Sequence, residues 1–305
     1  MTVLDPELAA TIDAYRTCEF ATLGRDGGPL PWPTAVRRRA DGTLLVTTSL
    51  AFAQKALNVR RDGRVALLFS DPTGSGLDGA PQVFIGGTAV CPEEIVTSAA
   101  GLEDYWTMLF ERQPDSRKYV APPARWLMDW YYMRLLITVT PAQVIVRPPL
   151  APAEGEGGSV AGDDLPGAAL LARFPSAVLG ARDPSGAPVL LRTRPEPTGG
   201  GFAVDVPPDC EVAAGPAALL VHRHDDRLAN MRNALVRGEL RPEGGRWVLV
   251  PGKVVEPAGS GGPGDVVRTL RDARRATRSY LRRRGLPRPR VRWDEFKRLA
   301  AAAEG

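Results

Sequence analysis

Leu44 to Phe69, LLVTTSLAFAQKALNVRRDGRVALLF, reads as strand, loop, short helix, turn and strand. Thr47, Thr48 and Ser49 close the first strand, Gln54, Lys55 and Asn58 fall on the helix, and Arg60 and Arg61 end it. Unpaired N–H groups at a helix start favour an anion. A lysine adds a full charge, and a hydroxyl adds a directed donor. The pattern suits a phosphate seat. It also suits an amphipathic surface helix with solvated cations between two core strands, and spacing alone leaves both readings open.

The chain has 305 residues, enough for one large or two ordinary domains. Its 44% hydrophobic and 24% charged residues argue against wholesale disorder. With 32 Gly and 29 Pro, many turns and short strands are expected rather than long bundles. A net charge of +4 suits anionic ligands without pointing to nucleic acid. Cys18, Cys91 and Cys210 are well separated and form no C-x-x-C, so neither a disulfide framework nor a zinc site is legible. The N-terminal segment lacks the pattern of a leader, and no apolar run approaches a bilayer span. A cytoplasmic protein acting on a small molecule, with no membrane or nucleic-acid partner, is the expectation.

Outward from the opening stretch, Asp5 caps a first helix with Pro6 at its first position. A strand over Phe20–Gly24 and a turn at Arg25–Pro29 precede a strand over Pro31–Arg38, and Asp41-Gly42 turns the chain into Thr43–Thr48. Val65–Ser70 is continuously apolar and is expected to be central. Gln82–Val90 is a strand in which Gly86-Gly87 marks a bulge or close approach. Pro92-Glu93-Glu94 is expected to start a helix of about twenty residues, ending near Pro114. Pro122-Pro123 starts another, with Trp126, Trp130 and Met133 at helical spacing, and a strand pair broken at Pro141 spans Leu135–Val146. The aromatic residues between Tyr105 and Tyr132 are read as packing.

Residues 148–164 have linker composition. Beyond them the chain repeats itself. Ala21–Pro29 is echoed by Ala177–Pro188, Gly42–Thr47 by Gly201–Val206, Val65–Phe69 by Ala217–Val221, and Thr138–Pro148 by Val248–Pro257. The order is kept, so two similar β-rich units follow: 1–148, then a linker over 149–164, a degenerate copy over 165–258, and a basic helical appendix over 259–305. The second copy reads PPDCEVAAGP where the first has its lysine-bearing helix. A basic helix over Gly264–Arg284 is expected to pack on the β-rich units by Val267, Leu270, Tyr280 and Leu281, with a short final helix around Glu295–Ala303.

Phe20-Ala-Thr-Leu-Gly24, Gly28-Pro29, Pro33–Arg37, Asp41–Thr48, Lys55–Val59 and Asp62–Phe69 resemble the pyridoxamine 5′-phosphate oxidase-like, FMN-binding split β-barrel superfamily. The resemblance covers about residues 8 to 148. It implies a mainly β fold with peripheral helices, tandem split β-barrels arranged as an intramolecular pseudo-dimer, in a monomer or homodimer. It also implies FMN, with a deazaflavin or haem as alternatives, and a flavin-dependent oxidoreductase, or else a non-catalytic binder or a deazaflavin-dependent reductase. Arg37 and Thr48 take the places of the family's phosphate contacts, with Thr47 and Ser49 beside them, and Lys55 is the family's lysine near the start of the following helix. Gln54 stands where the oxidases have arginine, and Gln82 sits where a glutamine reaches the flavin. No catalytic acid or base is legible, and flavin chemistry needs none from a motif. His222, Arg223 and His224, or Asn230 and Arg232, would face the flavin or substrate from the second copy. The two histidines alternate on one strand face, which suits haem or metal coordination as well as a solvated strand end.

Overall fold

The computed structural model describes residues 4–151, 164–229, 231–256 and 263–303. Most of the expected linker and Asn230 therefore lie outside the described residues. No described helix is long and apolar enough to cross a membrane.

The first half opens with α1 (Pro6–Ala14), where the Asp5 carboxylate accepts the Leu8 N–H as N-cap. Then come β1 (Cys18–Leu23), β2 (Pro29–Thr34), β3 (Val36–Arg38), β4 (Leu44–Ser49), α2 (Gln54–Arg61), β5 (Arg64–Phe69) and β6 (Gln82–Val90). It closes with α3 (Glu103–Arg112), α4 (Ala124–Met128) and β7 (Arg134–Arg147). The second half has α5 (Ala168–Leu171), β8 (Ala177–Arg182), β9 (Pro188–Thr193), β10 (Glu196–Pro197) and β11 (Phe202–Val204). It continues with β12 (Ala213–Arg223), β13 (Arg232–Glu243) and β14 (Arg246–Val255), and the chain ends in α6 (Pro263–Arg283) and α7 (Trp293–Ala302).

Among the described residues there are two antiparallel seven-stranded sheets. Their orders are β2-β1-β5-β6-β7-β4-β3 and β9-β8-β12-β13-β14-β11-β10. Matching position by position, the two are one topology used twice, so the repeat read in the sequence is a repeat of strand order. Each sheet curls around its own apolar core, one built on Phe20, Val46, Leu67 and Ile137, the other on Leu179, Phe202, Leu219 and Val236. The outer faces meet. Ala21, Ala66, Leu68 and Phe84 pack on Val178, Leu190 and Leu220, giving the pseudo-dimer its apolar seam. This explains the unbroken apolar run of β5: one face lines a barrel and the other lines the seam.

Several local expectations need correction. Pro31–Arg38 is two strands, because β2 pairs with β1 while β3 pairs with β4, and the chain breaks at Ala35 to change partners. The long helix expected from Pro92 is only α3; Val96 instead bridges Arg134, and backbone pairing there excludes helix. Pro141 does not break its strand. It lies opposite Gly87 at a bulge, where a missing N–H is tolerated, and β7 runs 14 residues through it. A Cβ on Gly87 would lie 2.3 Å from the Thr140 carbonyl, so this position needs glycine for close backbone approach. Trp126 is 61% exposed while Trp130 and Met133 are buried, so the three do not share a packed helix face.

The aromatic residues do pack. Trp106 stacks on Tyr132 at 5.2 Å and meets Phe296 of α7 edge-on at 4.8 Å. Glu295 anchors α7 by accepting the Ser98 hydroxyl and the Ala99 N–H. Helix α6 buries Tyr280 and Leu281 in the first core, and Arg60 donates to the Tyr280 hydroxyl at 3.1 Å. Val267, expected on the packed face, is 56% exposed.

Candidate functional site

The end of β4 turns through a short 3₁₀ segment, Leu50–Phe52, into α2. Thr47, Thr48 and Ser49 are all buried, because β4 lies between β3 and β7 with a barrel core on one side and α3 on the other. Thr47 donates to the Tyr105 hydroxyl at 3.0 Å and Thr48 to the Phe52 carbonyl at 2.8 Å. Arg37 pairs with Asp104 at 3.1 Å near the surface. Gln54 donates to Asn58, which in turn donates to Thr22, so this pair ties α2 to β1. Arg60 donates to the Cys91 and Pro92 carbonyls, and Arg61 to the Leu23 carbonyl, so both fix the helix end.

Lys55 is different. It is 9% exposed, and its ammonium lies 5.7 Å from the Trp32 ring centre. No hydrogen bond or ion pair to it occurs among the described residues. Burial pushes its pKa from 10.5 down to about 8, a nearby Cys18 opposes this, and the cation of Arg134 adds to it. The depression amounts to roughly 3 kcal/mol at about 1.4 kcal/mol per pKa unit.

Ser49 pairs across the ladder with Arg134, and the two side chains share a strand face. The Ser49 hydroxyl, the Nε and Nη2 of Arg134, and the indole N–H of Trp130 are buried with no hydrogen-bond partner. The Arg134 guanidinium lies over the rings of Tyr131 (4.3 Å) and Trp106 (5.0 Å), which orient it without neutralising it. Buried polar atoms without partners are uncommon. Around the end of β4 the unpaired atoms are a hydroxyl, an indole N–H, two nitrogens of a guanidinium and, on α2, an ammonium. That donor set fits a phosphate-type anion.

Gln82 does not join this group. It pairs with Arg147 while Ser49 pairs with Arg134, and these are opposite ends of β7. Its amide donates to the Pro148 carbonyl at 3.0 Å. Arg134 and Trp130 escaped sequence reading; a charge opening an otherwise apolar strand was the available signal. The second sheet has no counterpart of α2, since residues 205–212 between β11 and β12 are irregular.

A second polar group lies across the seam between barrels. Glu19 is fully buried on β1, and its carboxylate accepts from Arg192 (2.8 Å), His222 Nε2 (2.6 Å) and Ser70 (2.9 Å). Burial alone would raise its pKa; Arg192, His222 and Ser70 together outweigh that and hold the carboxyl below its ordinary value. His222 and His224 are buried with rings stacked 6.3 Å apart, so they are not at a solvated strand end. Arg223 lies over the Phe174 ring instead. A glutamate inside the apolar run CEFATL was the sequence signal for this cluster.

No family model matches the sequence, and no curated protein sequence matches it. Solved structures do match. A conserved hypothetical protein from Mycobacterium tuberculosis is 25% identical over 52% of this chain and 95% of its own, with a TM-score of 0.34. For a putative pyridoxamine 5′-phosphate oxidase from Listeria innocua the figures are 17%, 46%, 94% and 0.32. The haem storage protein HutZ from Vibrio cholerae gives 16%, 48%, 96% and 0.33. The fold itself is two curled antiparallel half-barrel sheets of one strand order, used in tandem with peripheral helices. Each of these three structures matches about half of this chain over nearly all of its own length.

Proposed function

We propose that the first barrel binds the phosphate of a flavin-class cofactor, FMN foremost, and that the chain is an oxidoreductase acting through it on a small organic substrate. The observation that carries this reading is Lys55, a buried cation with no carboxylate beside it. Keeping it costs stability, and strongly perturbed buried groups gather at functional sites. An entering phosphate offsets that cost. Ser49, Trp130 and Arg134 have donors free to complete its hydrogen bonds, while Arg37, Thr47, Thr48 and Gln54 would exchange present partners to join.

When bound, the flavin supplies the hydride and electron transfer. The chain's part is to fix the phosphate and to hold the ammonium proton on Lys55 Nζ. A deazaflavin also carries a phosphate, and the absorption spectrum of the loaded protein separates the two. Fluorescence titration of the full chain with FMN tests the seat. One charge-assisted contact is worth about 1.5–3 kcal/mol, so Lys55→Met is expected to weaken binding by one to two decades. Unchanged affinity, or no uptake of FMN or deazaflavin by the native chain, overturns the reading.

A further inference from the structure

A separate constellation lies where the two barrels join, and it owes nothing to the phosphate seat. Asp71, just past β5, faces His222 and His224 from β12 and its end. Asp71 Oδ2 is 3.7 Å from His222 Nδ1 and 3.7 Å from His224 Nε2. One ligand-type atom from each of the three residues lies within 4.8 Å of the others.

The surrounding hydrogen bonds settle which ring nitrogens are available. His222 Nε2 donates to the Glu19 carboxylate, and His224 Nδ1 donates to the Asp225 carbonyl at 3.0 Å, since each oxygen can only accept. The nitrogens turned toward Asp71 are therefore the opposite ones. His222 Nδ1 is buried with no hydrogen-bond partner at all. His224 Nε2 receives only the Thr17 hydroxyl, at 3.1 Å. Metal-binding histidines commonly give their other N–H to a carboxylate or a backbone carbonyl, and both supports are in place here. Arg192 pairs with Glu19, while Asp71, whose Oδ1 accepts the Thr73 N–H, turns its Oδ2 toward the two rings.

We propose that Asp71, His222 and His224 bind one divalent transition-metal cation at the seam, with zinc as the best-suited ion. Two imidazoles and a carboxylate are a borderline N/O donor set, matching zinc rather than calcium or magnesium. Ligands about 2.1 Å from a tetrahedral zinc stand roughly 3.4 Å apart, so the two 3.7 Å separations contract slightly, while the two histidine nitrogens, within 4.8 Å of one another, draw together by up to about 1.4 Å. The Thr17 hydroxyl turns aside, and the fourth position is open to water. One ligand comes from the first barrel and two from the second, so the ion staples the pseudo-dimer.

The test uses the full chain stripped with EDTA and titrated with zinc against a chromophoric chelator. One zinc per chain is expected, together with a rise in melting temperature on zinc addition. His224→Gln and Asp71→Asn should each weaken zinc about 100-fold or more and abolish the thermal rise. Asp71→Asn keeps the Oδ1 that caps the Thr73 N–H, so it separates metal loss from misfolding. Circular dichroism checks both variants. Native-like zinc affinity in either folded variant, clearly less than one zinc per native chain, or a melting temperature indifferent to zinc overturns the proposal. So does a haemin Soret band removed by these substitutions in a chain that takes no zinc.

Discussion

Replacing Lys55 by methionine should make the protein more stable while making it a poorer anion binder. Methionine fills nearly the same volume without a charge. At pH 7 the folded protein keeps Lys55 protonated, because its pKa, though pushed down to about 8, is still above the solution pH. The desolvation cost is then borne in full, and its size, about 3 kcal/mol at about 1.4 kcal/mol per unit, is an upper bound on the gain. The sign across pH is fixed by the same shift. Between pH 8 and 10.5 the unfolded chain keeps a proton that the folded chain has released, so native stability rises with pH there. The methionine variant lacks that contribution, and the difference between the two proteins should shrink over this window. Urea unfolding of both at pH 7 and near pH 10 reads it directly. A variant no more stable at pH 7, with a gap that does not change with pH, would refute the picture of a desolvated, unpaired ammonium. Because a bound phosphate would restore the pKa of Lys55, FMN affinity should also fall as the pH rises past 8 in the native protein only.

Three further outcomes follow from the packing. Arg192→Met leaves Glu19 buried without its guanidinium and should cost about 3–5 kcal/mol by denaturant unfolding, part of it recovered by adding Glu19→Met. Gly87→Ala forces a Cβ onto the Thr140 carbonyl and should destabilise by about 1–3 kcal/mol or more, whereas Gly86→Ala meets only ordinary contacts and should be tolerated; equal melting temperatures would contradict the bulge geometry. Deleting residues 263–305 uncovers the core that Tyr280, Leu281 and Phe296 close, so a rise in binding of a hydrophobic dye is expected, and none would mean that the appendix is dispensable for packing.

Much of this protein is written locally. Asp5-Pro6 sets a cap, Asp41-Gly42 sets a hairpin, Gly86-Gly87 sets a bulge, and short apolar runs bounded by turn residues set the strands. These depend on neighbours a few residues away, so a linear reading recovers them, and the repeated order of such signals was enough to expect two similar β-rich units. The lysine helix after β4, and its loss from the second copy, were legible for the same reason. Helix length after Pro92 was not, because whether Val96 pairs with Arg134 is decided by a strand nearly forty residues away.

Tertiary structure alone decided what becomes buried without a partner. Lys55 looks like any helix cation until packing removes its water, and Arg134 looks like a strand-end charge until the rings of Trp106 and Tyr131 enclose it. Glu19 and His222 are separated by 203 positions, and no local rule could have joined them. The cost of an ionisable group is set by the solvent it loses and the charges it meets. Both depend on how two distant sheets dock, so composition and spacing identified the donors while the fold chose which of them were left to bind.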